Sequence, residues 1–249
     1  MEIADRVHHF TNYRFNWYLI EDQGRLTLVD TGFAGHYRMF CRGLESIGRR
    51  VEDIDAIIIT HAHADHTGMA PKIHRKSGAP IHVHGDDIKY ARRPLYLPWS
   101  GLLGNAWRPY TASMLTHAVF HGLLRLPTIT TATAVGGGQT LDVPGTPRII
   151  HVPGHTRGDI VVHLPDRGVL FSGDALVTRS LLNGRDGQPQ VTSRRLNTDA
   201  ARAASALAAL TALGTVRLLP GHGKPWDGDM DHAVTTAIDA ALPERRAVR

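Results

Sequence analysis

The sequence predicts an α/β fold. Short apolar runs that read as strands alternate with amphipathic runs at helical spacing, and no low-complexity stretch or Pro/Gly/Ser linker divides them. Hydrophobic residues make up 42% of the 249 and charged residues 20%, a balance that excludes a disordered chain. A chain this long hides about three quarters of its unfolded surface, so a single domain over residues 1–249 with a large core is expected.

The elements follow in order. Residues 25–30 (R-L-T-L-V-D) read as a strand closed by Thr31-Gly32. Residues 37–47 are amphipathic, with Phe40, Leu44 and Ile47 at helical spacing and Gly48 as the C-cap. Residues 56–60 (A-I-I-I-T) form a short continuous apolar run, as a strand buried on both faces does. A helix over 69–76 comes next. Residues 80–84, 147–152, 160–164 and 169–172 are further strands, and Pro165-Asp166-Arg167-Gly168 turns the last two into an antiparallel hairpin. Thr198 is the expected N-cap of an alanine-rich helix over 199–213, whose stripe is Leu207, Leu210 and Leu213. Gly214 stops it and residues 216–219 return to strand.

Residues 95–126 break the rhythm. They carry Tyr96, Trp99, Trp107, Tyr110, Met114 and Phe120 with helical but no clean strand pattern. This insert is expected to serve as a lid, a pocket wall, an ordinary helical hairpin or a homodimer interface.

Composition excludes several classes. No run approaches the roughly 18 apolar residues of a membrane span. The opening Met-Glu-Ile-Ala-Asp-Arg lacks the basic end and apolar run of a secretory signal, so a cytoplasmic location is expected. One cysteine, Cys41, excludes an intrachain disulfide and a Cys-built zinc site. The net charge of +5 raises nucleic acid as a partner, but the 24 arginines and four lysines are scattered and their longest runs are pairs. A solvated basic surface is the preferred reading.

The chemistry is concentrated in five of the sixteen histidines. Directly after the buried strand comes Thr60-His61-Ala62-His63-Ala64-Asp65-His66. His61 and His63 project to the same side of an extended backbone, and Asp65 and His66 follow at the turn. Four ligand-type side chains at the end of a buried strand cost several kcal/mol unless something binds them. A divalent ion satisfies them together, and imidazole with carboxylate but no thiolate suits zinc first, with iron or manganese as alternatives. Residues 149–155 (I-I-H-V-P-G-H), 169–174 (V-L-F-S-G-D) and 216–222 (V-R-L-L-P-G-H) each end an apolar strand in glycine and a ligand-type residue. They deliver His155, Asp174 and His222. Seven candidate ligands are enough for two ions with room for water.

Taken in order, L-V-D-T-G, T-H-A-H-A-D-H-T-G, G-H-T-R-G, F-S-G-D-A and L-P-G-H-G resemble the motifs of the metallo-β-lactamase superfamily over nearly the whole chain. The resemblance implies a four-layer αβ/βα sandwich with two metals at one edge between the sheets. It implies His61, His63 and His155 on one metal, Asp65, His66 and His222 on the other, and Asp174 between them. Asp30 and Thr60 would stand behind the ligands and orient them. The implied reaction is attack on an ester, thioester or lactone carbonyl by a hydroxide bridging the metals, with Asp65 handling the proton.

Departures from subfamily patterns narrow the choice. True β-lactamases of the superfamily typically carry Cys or Ser at the Asp174 position, and the di-iron redox relatives replace His63 by Glu. The related nucleases add a His between the bridging Asp and the last ligand, and none stands between Asp174 and His222. Glyoxalase II enzymes share all seven ligands but add a C-terminal glutathione-binding domain, for which the 27 residues after His222 are too few. Lactonases often place a Tyr just after the bridging Asp, where this chain has Ala175 and Leu176. Arg157, Lys224, Trp226, Trp99, Trp107 and Tyr110 are the candidates for contacting a small-molecule substrate, and Arg157 is alternatively a surface charge paired with Asp159. A phosphodiester or nucleic-acid hydrolase on the same metals is the rival, and it would gather Arg92, Arg93, Arg194 and Arg195 beside the site. A β-lactamase and a non-catalytic relict are the remaining alternatives. His82 and His84 repeat the H-x-H spacing without a nearby carboxylate–histidine pair and read as strand residues.

Overall fold

The computed structural model describes residues 1–93, 99–123 and 128–241, with the side chains of 99 and 100 outside the description. The first sheet has seven strands in chain order: β1 (Glu2–Ala4), β2 (Val7–Asn12), β3 (Phe15–Asp22), β4 (Arg25–Val29), β5 (Ile54–Ile59), β6 (Ile81–His84) and β7 (Ala132–Val135). Strands β1 to β4 are antiparallel neighbours, and β4 to β7 run parallel. Next come β8 (Arg148–His151), β9 (Ile160–Leu164) and β10 (Val169–Gly173), a small ribbon of β11 (Val177–Arg179) and β12 (Asp186–Gln190), then β13 (Thr215–Pro220) and β14 (Trp226–Asp229). The second sheet has the spatial order β14-β13-β10-β9-β8, with only β10 and β13 parallel.

Three apolar layers separate four structural ones, and strand alternation sorts the side chains between them. Trp17, Leu19, Leu28, Ile57 and Ile59 face the outer side of the first sheet, where they bury Phe40 and Leu44 of α1 (Tyr37–Glu45) and Ile73 of α3 (Ala70–Ser77). Their neighbours Tyr18, Ile20, Val29 and Ile58 face inward onto Ile160, Val162, Val169 and Phe171. Val161, Leu170 and Leu218 face the far side, against Ala233 and Val234 of α8 (Met230–Ala241). The α/β class and the helix–sheet–sheet–helix order expected from the sequence are therefore present. No helix among the described residues is long and apolar enough to cross a membrane.

Several boundaries differ from the sequence reading. Asp199, not Thr198, caps α7 (Ala200–Ala206): its carboxylate accepts the N–H groups of Ala201 and Arg202. The Thr198 hydroxyl instead donates to the His155 carbonyl at 3.0 Å, so the cap position moved by one because that residue serves the site. The helix tightens to a 3₁₀ turn over Leu207–Leu213. A one-turn helix, α2 (Ala64–Thr67), precedes α3, and a short α4 (Ile88–Ala91) follows β6. The irregular insert holds α5 (Trp99–Leu103) and α6 (Pro109–Phe120). Tyr96 and the Trp99 side chain lie outside the described residues.

The strand ends place the site. Asp30 follows β4, His61 follows β5, His155 follows β8, Asp174 follows β10 and His222 follows β13. Backbone bonds lock the two sheets together at this edge: Ile160 N–H donates to Thr60 O at 2.9 Å, and Asn16 N–H to Gly221 O at 3.0 Å. The Asn16 amide adds donors to Pro220 O and Gly223 O, which fixes the turn that carries His222.

Candidate metal centre

The structure brings all seven sequence-predicted ligands into one buried cluster. His61, His63 and His155 form one group of ligand atoms, and Asp65, His66 and His222 form another. Asp174 reaches both: Oδ2 lies 3.6 Å from His155 Nε2 and 3.2 Å from His222 Nε2, and Oδ1 lies 3.5 Å from His66 Nε2. Asp65 Oδ2 is 3.3 Å from His222 Nε2. Two glycines make room, since a Cβ on Gly221 would stand 2.5 Å from Asp174 Oδ1 and one on Gly173 would stand 2.5 Å from Thr60 Oγ1.

Hydrogen bonds behind the rings fix which nitrogen faces inward. Asp30 Oδ2 accepts the His66 Nδ1–H at 2.8 Å and the Thr60 hydroxyl proton at 2.8 Å. With its only proton spent on Asp30, the Thr60 oxygen accepts His61 Nδ1–H at 3.1 Å. His155 Nδ1–H donates to Asn197 Oδ1 at 2.9 Å, the orientation set by the Asn197 amide donating to Thr192 O. His222 Nδ1–H donates to the Arg14 carbonyl at 2.8 Å. Four rings thus turn Nε2 towards the cluster, the orientation that metal-holding imidazoles need. His63 presents Nδ1, 3.0 Å from both His61 Nε2 and His155 Nε2. A proton on His63 Nδ1 can be donated to only one of the two Nε2 atoms, which leaves the lone pair of the other ring without that proton.

Electrostatics divide the cluster in the same way. Burial, with mutual repulsion among the imidazoles, holds His61 well below the ordinary histidine range and His63 at about 3. Burial likewise dominates the lowering at His155. Burial also works against charge on His66, but Asp30, Asp65 and Asp174 overcome it and raise His66 to about 9. Asp174 and Asp65 likewise overcome burial at His222 and raise it well above its usual value. Against the same burial, His66 and His222 hold Asp65 at about 2 and Asp174 below the carboxylate range. Carboxylates that draw protons onto two buried histidines mark a site short of positive charge. Three of its buried polar atoms, His66 Nε2, His222 Nε2 and Asp174 Oδ1, lack a hydrogen-bond partner. Divalent cations fit this donor set, which is nitrogen and oxygen without sulfur.

Two acids behind the site were not singled out as functional from the sequence. Asp87 is fully buried and clamps the two ligand loops: it accepts Ala62 N–H and the Thr156 hydroxyl on Oδ2 and Gly158 N–H on Oδ1, at 2.8–2.9 Å. Asp159 is also fully buried, with Oδ1 3.9 Å from His61 Nδ1. Its reading as a surface partner of Arg157 is corrected, because Arg157 is exposed. Asn197 was equally unmarked. Nothing in the spacing of these three residues distinguishes them from ordinary loop polars.

A cavity of about 50 Å³ opens over His63, Asp65, His155 and Asp174. Phe15, Phe33, Leu102, Met114, Leu181 and Leu196 are among its other walls, so the insert supplies part of the pocket wall through α5 and α6. Among the described residues, Arg157, Lys224, Trp226, Trp107 and Tyr110 are not part of its lining. Arg157 borders a separate surface depression with Lys89 and Arg92. Lys224 is exposed, and Trp226 packs on the second sheet with Nε1–H donating to Gln188 at 2.7 Å. Trp107 is 76% exposed, and Tyr110 stacks under the Arg14 guanidinium at 3.6 Å. Trp107 and Tyr110 of the insert point to solvent or pack on Arg14, and the insert lines the cavity with Leu102, Met114, Leu115, Ala118 and Leu123 while Phe15 and Phe33 come from outside it. His82 and His84 are strand residues of β6 as read, but His84 does have a carboxylate and a histidine beside it, Asp86 and His151, whose ring stacks on its own at 3.9 Å.

The sequence profile of the metallo-β-lactamase superfamily matches residues 15–222. A probable metallo-hydrolase of Bacillus subtilis, YflN, is 27% identical over 91% of this chain and 87% of its own length. A hydroxyacylglutathione hydrolase of Fuscovulum blasticum is 28% identical over 69% of this chain and 52% of its own length. The chain spans about half the length of several curated relatives it matches. The crystal structure of a metallo-β-lactamase family protein from Thermus thermophilus superposes with a TM-score of 0.71 at 23% identity, covering 97% of this chain and 81% of that one. The ordered motifs, the four-layer sandwich and the profile match together make this chain a member of the metallo-β-lactamase superfamily.

Proposed function

We propose that this chain is a dinuclear metal-dependent hydrolase of a small carbonyl substrate, an ester, thioester or lactone, with zinc the first candidate metal. The observation that carries the reading is the convergence of imidazole lone pairs, His61 Nε2 and His155 Nε2 each 3.0 Å from His63 Nδ1, beside the acid-rich group of Asp65, His66, His222 and Asp174. His61, His63 and His155 would hold one ion, Asp65, His66 and His222 the other, and Asp174 lies within reach of both. Such ions, when bound, supply Lewis acidity and lower the pKa of water from 15.7 towards about 7. Asp65 lines the cavity and is ionised across the working pH range, so it accepts and passes on the proton. The walls formed by Phe15, Phe33, Leu102 and Met114 exclude bulk water and suit an acyl group over a phosphodiester. The relative named hydroxyacylglutathione hydrolase, whose substrate is an acyl group on glutathione, supports the same choice.

The test is metal analysis of purified protein together with a panel of acyl thioesters, lactones and p-nitrophenyl esters. About two divalent ions per chain are expected, lost in His61→Ala/His63→Ala together with turnover. Well under one ion per chain would overturn the metal reading. Turnover of a phosphodiester with no hydrolysis on the carbonyl panel would overturn the substrate reading.

A further inference from the structure

Beside the metal centre lies a second and larger basin of about 470 Å³ whose lining includes four arginines, Arg108, Arg185, Arg194 and Arg195. Among the described residues none of the four forms an ion pair. The acid next in sequence to Arg185, Asp186, is already held by Arg179, whose Nε and Nη2 donate to its two oxygens at 2.5 and 2.8 Å. Arg108 rests on the Trp107 ring at 5.3 Å, and its buried Nε has no hydrogen-bond partner. Four arginines line one concavity, Arg108 half-buried and Arg185, Arg194 and Arg195 exposed, so an anion entering it meets several positive side chains with no acid of their own. The planar donor fork of arginine matches phosphate and carboxylate oxygens.

The basin is joined to the metal centre by shared walls and by one segment of chain. Leu181 lines both the basin and the cavity over Asp65 and Asp174. Thr192 lines the basin and donates its hydroxyl proton to the Asp174 carbonyl at 2.6 Å. Its own carbonyl accepts the Asn197 amide that orients His155. Arg194 and Arg195 sit between these two, in the 3₁₀ turn Arg194–Leu196, and Leu196 reaches into the cavity. The arrangement is packed tightly against α5, since a Cβ on Gly101 would come within 2.2 Å of Arg195 O. Arg92 and Arg93, the other pair that a nucleic-acid reading would gather here, are absent from this lining, and Arg92 faces the Arg157 depression instead.

We propose that the arginine basin is the binding site for an anionic handle on the substrate, a phosphate or carboxylate group attached to the acyl compound whose carbonyl is placed over Asp65 and Asp174. A basin of this volume takes a ligand well beyond one anion, so the substrate is an acyl group on a charged carrier and not a small neutral ester or lactone. This rests on the hydrolase reading, but the anion site is measurable apart from it.

The test is calorimetric titration of the metal-loaded protein with ADP and, separately, with glutarate, in wild type, Arg194→Gln/Arg195→Gln and Arg185→Gln. ADP affinity is expected to fall at least tenfold in the double variant and severalfold in Arg185→Gln, and in wild type to weaken steeply with added salt. The same loss for glutarate alone assigns the basin to carboxylates. Equal affinity in wild type and both variants, or no binding of either probe, overturns the anion site whatever the protein hydrolyses. In parallel, the preference for acetyl-coenzyme A over p-nitrophenyl acetate is expected to drop at least tenfold in the double variant, mainly through KM. Anion binding that depends on these arginines in a protein that hydrolyses nothing would keep the site and remove the hydrolase reading.

Discussion

Asp30 holds Thr60 at two points, its Oδ1 accepting the Thr60 N–H and its Oδ2 the Thr60 hydroxyl proton, both at 2.8 Å. The same Oδ2 accepts His66 Nδ1–H, and the Thr60 oxygen in turn takes His61 Nδ1–H. One carboxylate therefore orients a ring in each of the two ligand groups. Asp30 adopts φ of +59°, a left-handed conformation that aspartate tolerates better than most side chains, which aims the carboxylate back at the end of β5.

Replacing Asp30 by Asn puts an amide N–H₂ against donors that both need an acceptor. Loss of such supporting groups lowers metal affinity by about 10–100-fold. Asp30→Asn is expected at the upper end of that range, and Thr60→Val lower because His66 keeps its acceptor. Chelator competition followed by metal release measures both. Equal effects of the two variants would show that Asp30 does not act on His66.

Gly221 gives the sharpest steric prediction. A methyl group there would meet Asp174 Oδ1 at 2.5 Å and His66 Cε1 at 2.8 Å, so Gly221→Ala must displace a ligand from each side. Metal content is expected to fall below one ion per chain with the circular dichroism spectrum unchanged. Gly78→Ala is the control, because nothing lies within 4 Å and only its φ of +77° is strained. It should cost about 1 kcal/mol of stability and no metal. Full metal occupancy in Gly221→Ala would mean that the turn relaxes away from Asp174.

The legible part of this protein was the part with rigid spacing. His61, His63, Asp65 and His66 follow a strand whose apolar run, Ile57–Ile58–Ile59, fixes where the chain emerges, so their meeting could be read from sequence. The three distant candidate ligands announced themselves because each follows an apolar strand run and a glycine. Asn197 and Asp87 act through loop contacts 42 and 25 residues away in sequence, to His155 and to Ala62 N–H, and no periodicity encodes such a meeting. The strand β3 went unread for a different reason. Phe15 to Ile20 is buried on both faces, so the run lacks the in–out alternation that marks a half-exposed strand. Trp107, Tyr110 and Trp226 stood out as substrate contacts because they are rare and conspicuous, whereas the wall residues Phe15, Phe33, Leu102, Met114 and Leu181 look like any core residue.

Acid sensitivity should come from the neighbourhood of the pocket wall. His36 Nδ1 accepts the Phe33 N–H at 3.2 Å, so its proton sits on Nε2 and is donated to His117 Nε2, also 3.2 Å away. Burial, then His121 and His117, push His36 down to about 3, against a smaller opposite pull from Asp65. The folded value lies below the unfolded one, about 6.5. Stability from neutral His36 is thus fully present above pH 6.5 and is lost as pH falls towards 3, at up to about 1.4 kcal/mol per pH unit. His36→Asn keeps an acceptor for Phe33 N–H and removes the titration. Urea midpoints measured from pH 7 to pH 4 are expected to fall less steeply in the variant than in wild type. Parallel curves would place the acid sensitivity elsewhere.

Met114 tests whether the cavity receives the acyl group. It is buried on α6 and lines the space over Asp65, His63 and Asp174. Met114→Ala removes a buried side chain at a cost of about 2–5 kcal/mol of stability. It also enlarges the cavity of only about 50 Å³ that it lines. Each added methylene that finds room in an apolar pocket is worth roughly 1–3 kcal/mol of discrimination. The preference for hexanoyl over acetyl thioesters, as a ratio of kcat/KM, is therefore expected to rise about tenfold or more, with metal content unchanged. A chain-length profile that superimposes on wild type, in a variant that still binds its metals, would mean that the acyl group lies outside this cavity.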